Sequence, residues 1–103
     1  MRHYRPRLDA ASIKSAIDPA DFYLRELNLC RFGYRSGQWA VAGHCPFHDD
    51  TKPGSFKINQ ETGAFKCWSC GASGNDIIAF LKIRDNMDFI EVLERLSNEW
   101  GCV

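Results

Sequence analysis

Apolar residues follow two different spacings along this chain, and the changes of spacing mark its elements. Residues 9–17 have helical character, from Asp9 through Ile13 to Ile17. Asp18-Pro19 reads as a second helix start, with an aspartate at the cap, a proline in the first turn and Asp21 near the positive helix end. That helix is predicted to run to about Asn28, with Ala20, Tyr23, Leu24 and Leu27 on its buried stripe. The pattern then shortens. Residues 29–33 and 38–43 read as two strands around a turn at Gly33-Tyr34-Arg35-Ser36-Gly37, with Trp39 and Val41 on one face.

A clearer hairpin follows. Residues 55–59 alternate, with Phe56 and Ile58 on one face and Ser55, Lys57 and Asn59 on the other. Gln60-Glu61-Thr62-Gly63 supplies a four-residue loop, and 64–68 is the return strand, which sets Ile58 opposite Phe65 and Lys57 opposite Lys66. After a loop at 71–74, a helix is predicted from Gly74 or Asn75 to about Arg84, with Ile77, Phe80 and Leu81 inward. Asp88 and Glu91 form a capping box ahead of a last helix whose apolar stripe is Phe89, Val92, Leu93, Leu96 and Trp100. The expectation is an α+β fold, a small antiparallel sheet flanked by N- and C-terminal helices.

Length and composition narrow this to one small domain. The chain has 103 residues, 45% hydrophobic and 25% charged, which is ordinary for a folded domain. Its apolar stretches are only a few residues long, so no membrane span is expected, and no apolar run follows the N-terminus as a signal peptide requires. A cytoplasmic protein is expected. A core of this size is modest and gains from a staple.

The cysteines suggest what the staple is. There are five, an odd number, with no secretory signal, which argues against a disulfide framework. Cys45-Pro46-Phe47-His48 reads C-x2-H and Cys67-Trp68-Ser69-Cys70 reads C-x2-C, separated by the 18 residues 49–66. Each step folds into a knuckle that turns both donors to one side, and a hairpin spacer brings the two knuckles together. Four such donors make a closed zinc site, structural rather than catalytic. Gly71 follows Cys70, where a knuckle needs positive φ. Cys67 and Cys70 could instead be a redox pair, but the strand–helix setting of such pairs is absent. His44 competes with His48, although adjacent residues do not readily face one ion. Phe47 is expected to cover the metal. His3 reads as a tail residue, and Cys30 and Cys102 as buried or free thiols.

Charge adds a direction. Lysine plus arginine and aspartate plus glutamate balance at 13 each, yet residues 1–35 carry seven basic and four acidic residues while residues 76–103 carry three and six. Residues 1–8, with Arg2, Arg5 and Arg7, read as a flexible basic arm. Lys57 and Lys66, paired on the outer face of the hairpin, are like charges in an unfavourable place, and Trp68 continues their alternation. Positive charge beside an exposed ring suits single-stranded nucleic acid, through phosphate contact and base stacking. Arg31 and Arg35 are expected on neighbouring strands. The alternative is a plain solvated face with Trp68 packed on its knuckle.

From Cys45 to Trp100 the chain resembles the zinc-binding domain of bacterial and phage DNA primases. The likeness rests on Cys45-Pro46-Phe47-His48, Lys52-Pro53, Ser55-Phe56 and Phe65-Lys66-Cys67-Trp68-Ser69-Cys70-Gly71. It continues in Gly74-Asn75-Asp76-Ile77-Ile78-Ala79-Phe80-Leu81. The resemblance implies a zinc ribbon over 9–103 with one structural Zn2+ on Cys45, His48, Cys67 and Cys70. It also implies contact with a single-stranded DNA template in support of primer synthesis, which strengthens the reading of Lys57, Lys66 and Trp68 as the contacting face, with Arg31 and Arg35 added from the charge pattern. Two departures stand out: Gly54 is inserted between Pro53 and Ser55, and no acidic cluster for nucleotidyl transfer is visible. The chain is therefore expected not to make primers alone, and no catalytic residue is assigned. The expected partners are DNA and a primase core, helicase or other replication protein. The alternative function is a module that docks on a separate primase, helicase or relaxase.

Overall fold

The computed structural model describes residues 9–48 and 54–100. The expected basic arm, His3, Lys52-Pro53 and Cys102 lie outside those residues. Two short helices, α1 (Ala10–Ala16) and α2 (Pro19–Glu26), precede the strands β1 (Arg35–Ser36), β2 (Trp39–Val41), β3 (Phe56–Asn59), β4 (Phe65–Cys67) and β5 (Ser73–Gly74). The helices α3 (Ile77–Arg84) and α4 (Phe89–Trp100) close the chain. The strands form one antiparallel sheet in the order β1-β2-β3-β4-β5. This is the α+β architecture expected.

The hairpin register is the expected one: Lys57 pairs with Lys66 and Ile58 with Phe65. Phe56, Ile58, Phe65 and Ala40 are buried on the inner face. There Phe80 of α3 gathers the aromatic core, its ring 5.0 Å from Tyr23, 5.4 Å from Phe65 and 6.0 Å from Phe22. The Tyr23 hydroxyl donates to the Gly63 carbonyl at 2.7 Å, which ties α2 to the hairpin turn. Asp88 and Glu91 form the reciprocal capping box, at 2.8 and 2.9 Å.

Several expectations need correction. The stretch 29–33 is not a strand. Asn28 takes φ 56° at the end of α2, and the chain runs irregularly to Tyr34. The first hairpin turns instead at Gly37-Gln38, where Gly37 has φ 64°, the place a type II′ turn gives to glycine. The loop at 71–74 contains a fifth strand. Gly74 sits so close to Phe65 that a Cβ there would lie 2.5 Å from its ring, so any larger residue would force its neighbours to shift. Helix α3 starts later than expected, because Asp76 caps it by accepting from the Ala79 N–H at 2.8 Å.

Asp18 precedes α2 but makes no side-chain cap hydrogen bond. The buried arc of α2 also includes Phe22, left off the expected stripe, because α2 packs between β3 and the end of α4. Phe89, expected in the core, is exposed at the start of α4 with Lys82 over its ring. Phe47, within the first knuckle, stacks its ring on Phe65 at 5.5 Å and packs, partly buried, against the aromatic core.

Candidate metal centre

The meander explains why residues far apart in sequence meet. In an antiparallel sheet the ends of β2 and β4 and the starts of β3 and β5 share one edge. The first knuckle leaves β2 by way of Ala42, whose N–H donates to Phe56 O at 2.9 Å. The second begins on Cys67, the last residue of β4, which pairs with Phe56. Both knuckles are thereby anchored to one residue, Phe56.

At that edge the ligand-type atoms of Cys45, His48, Cys67 and Cys70 all lie within 4.8 Å of one another. The sulfurs of Cys45 and Cys70 are 3.8 Å apart. Zinc–sulfur bonds of ~2.3 Å at tetrahedral angles put sulfurs about 3.8 Å apart, so this edge fits the ion. Backbone N–H groups point at the sulfurs, from Phe47 to Cys45 and from Cys70 to Cys67, each at 3.4 Å. Gly71, at φ 83°, closes the second knuckle by donating to Cys67 O at 2.9 Å. His44 is exposed, and the cluster contains His48 instead.

The electrostatics of the bare donors also call for a cation. Burial pushes the Cys45 thiol up to about 12. Burial acts the same way on Cys67, but the N–H groups of Cys70 and Ser69, with contacts to Cys45 and Cys70, bring it below its ordinary value. Three soft sulfurs and an imidazole with no oxygen donor suit zinc. A divalent ion would compensate the thiolates that the low-dielectric edge otherwise disfavours. All four positions of such a site would be filled by protein, leaving none for substrate.

The proposed nucleic-acid residues are placed unevenly. Lys57, Lys66 and Trp68 lie together on the outer face, with Trp68 65% exposed and the Lys66 ammonium 4.9 Å from its ring centroid. Arg35 pairs with Ala40, so the register turns it toward the opposite, helix-bearing face. Arg31 is exposed and outside any strand. Two residues absent from the expected set join the outer face instead. Ser36 and Trp39, a cross-strand pair, line a shallow hollow of about 210 Å³ together with Lys57 and Trp68. The alternation of Trp39 with Val41, combined with the hairpin register, is the signal that places them there. A larger groove of about 730 Å³, between α1, the hairpin turn and α3, is remote from the cluster and is crossed at its rim by the Lys14–Asp76 ion pair.

A small antiparallel sheet carrying two facing knuckles, with helices over one side, defines a zinc-ribbon protein. The family described as the CHC2 zinc finger matches residues 9–103, and the chain belongs to it, as a primase-type zinc-binding domain. Its ligand-type residues occur in the order Cys, His, Cys, Cys. The DNA primase of Thermotoga maritima is 38% identical over 96 residues, covering 93% of this chain and 16% of that protein. The DNA primase of Mycolicibacterium smegmatis is 37% identical over 96 residues, covering 93% and 14%. The Aquifex aeolicus primase structure, with zinc-binding and RNA polymerase domains, aligns at TM-score 0.68 and 28% identity. It covers 95% of this chain and 22% of that one. The chain thus spans about one sixth of the length of these two relatives.

Proposed function

We propose that residues 9–103 are a single domain in which Cys45, His48, Cys67 and Cys70 hold one structural zinc. The domain presents the outer face of its sheet to a single-stranded DNA template. In this reading it supports primer synthesis in the cytoplasm and works with a primase core that supplies the carboxylates and divalent metals of nucleotidyl transfer. The zinc fixes the edge of the sheet and so the position of Trp68, one residue after Cys67. One observation carries the reading: an exposed tryptophan beside two lysines held side by side across a ladder, an arrangement that costs stability and that a polyanion relieves. Arg31 and Arg35 contribute less, because Arg35 is turned to the other side of the sheet and Arg31 lies outside the strands.

The test is binding of a fluorescent single-stranded oligonucleotide at low and moderate salt. Micromolar binding that weakens as salt rises is expected. Binding that is absent, or insensitive to salt, overturns the reading.

A second reading, docking on a separate primase, helicase or relaxase, is favoured by one observation. Ile83, Phe89 and Ile90 are large, apolar and exposed where α3 meets α4, beside the acidic side chains of α4. A stable protein partner recovered from the source cell without nucleic acid would favour it.

A further inference from the structure

The groove between α1, the hairpin turn and α3 serves neither of the functions proposed above. Its volume of about 730 Å³ falls within the ~300–1,000 Å³ of pockets that hold ligands. Ala11, Ala16, Pro19 and Ile77 give it an apolar lining, mostly of small side chains that a peptide backbone can approach. Its walls are tied together. Lys14 on α1 pairs with Asp76 at the start of α3 at 3.0 Å, and the Tyr23 hydroxyl holds α2 to the turn through Gly63 O at 2.7 Å. Asn59 Oδ1 accepts from the Glu61 and Thr62 N–H groups, each at 2.9 Å, and so fixes the part of the turn that faces the groove. The groove is thus formed before anything binds in it.

Its charge points to the kind of occupant. Lys14 is neutralised by Asp76, but Asp18 and Glu61, on different walls, have no ion-pair partner among the described residues. Asp18 stands at the Ncap position of α2 and makes no cap bond. Its counterparts Asp9, Asp76 and Asp88 all accept from the first turns of their helices, at 3.2, 2.8 and 2.8 Å. Such a cap contributes about 1 kcal/mol, so α2 forgoes a local interaction, as residues at functional sites do. Two free carboxylates repel phosphate, and nucleic acid with it, and favour a cation. The first-turn N–H groups of α2, left without a side-chain acceptor, favour a carbonyl. A peptide supplies both, with carbonyls along its backbone and a cation at each arginine or lysine.

We propose that this groove docks a short, extended, basic segment of a partner protein. Arginine or lysine side chains meet Asp18 and Glu61, and an aliphatic side chain rests on Ala11, Ala16, Pro19 and Ile77. The groove shares no lining residue with the outer-face hollow, so the sheet face stays free while the partner is held. The proposal does not depend on the single-stranded DNA reading.

The probes are two fluorescein-labelled hexapeptides, one alternating arginine with leucine and one alternating glutamate with leucine. Anisotropy titrations use the full chain loaded with zinc, and amide shifts in NMR spectra locate the contact. The basic peptide is expected to bind at least ~10-fold tighter than the acidic one and to shift the amides of Ala11, Ala16 and Thr62. Asp18→Asn and Glu61→Gln are each expected to weaken its binding about 2–5-fold, the range of exposed ion pairs. Both side chains are exposed, and circular dichroism and metal content establish that each variant is folded. Absence of binding, equal affinity for the two peptides, or shifts confined to the acidic side of α4 overturn the proposal. So does binding of the basic peptide that neither substitution weakens. Binding that tightens ~10-fold in the combined Arg2→Gln, Arg5→Gln and Arg7→Gln variant makes a segment of this chain the occupant and overturns the partner reading. A dimer that Asp18→Asn dissociates does the same in favour of a second copy.

Discussion

Replacing Lys57 by glutamine separates what the outer face does for stability from what it does for binding. Lys57 and Lys66 are directly paired across β3 and β4, and the Lys66 ammonium is drawn over Trp68 at 4.9 Å. With the two ammonium groups ~8 Å apart in water-like surroundings, their repulsion is about 0.5 kcal/mol. Glutamine keeps most of the half-buried stem and removes the charge. Stability is expected to rise by ~0.5 kcal/mol, or roughly 2–4 °C in melting temperature for a domain of this size. Affinity for a single strand is expected to fall, because one phosphate contact is lost. The slope of log affinity against log salt should shrink by about 0.7. Thermal melts and anisotropy titrations at several salt concentrations measure both quantities on one sample. A variant less stable than the parent by ~1 kcal/mol would show that the stem packs and the charge does not strain the sheet. An unchanged salt slope would remove Lys57 from the contact.

Glu26 has a nearly buried carboxylate that accepts from Arg84 at 2.7 Å and from Arg95 at 2.9 Å, joining α2, α3 and α4. Glu26→Gln is expected to cost about 2–3 kcal/mol in urea unfolding. That is below the ~3–5 of a fully buried broken pair, because both arginines are partly exposed and keep Asp85. Gly74→Ala places a methyl carbon 2.5 Å from the Phe65 ring and 2.9 Å from Ala79 Cβ, so β5, the buried ring or α3 must shift. A loss of about 1–3 kcal/mol is expected from the melting temperature, and no loss would contradict the close packing. Cys67→Ser is expected to unfold at least residues 44–71, since metal binding in such sites supplies ~10 kcal/mol or more. Circular dichroism unchanged from the parent would contradict this.

The parts of the fold legible in the sequence are those where one residue type permits only one reading. The two C-x2-C/H steps identify four donors without any knowledge of strands. The alternation from Phe56 to Lys66 fixes a register because a one-residue slip would expose Phe56, Ile58 and Phe65 together. The stretch 29–33 misleads because Leu29 and Phe32 do pack on the core, yet Asn28 at φ 56° sets the chain on an irregular path that first meets β2 only at its end, where the Gly33 N–H donates to Val41 O. β5 is too short to carry a pattern, and its glycine serves the Phe65 ring rather than a turn. The Glu26–Arg84–Arg95 cluster spans 69 residues of sequence, and no local spacing announces it. The outer-face hollow is invisible for the same reason: Ser36 and Trp39 reach Lys57 and Trp68 only once β2 has paired with β3.

The central claim is that one tetrahedral ion joins the two knuckles, and metal content tests it most directly. Elemental analysis of protein purified without chelators should give one equivalent of zinc, and Cys67→Ser should give almost none. Less than half an equivalent in never-chelated protein with its circular dichroism intact would contradict the account.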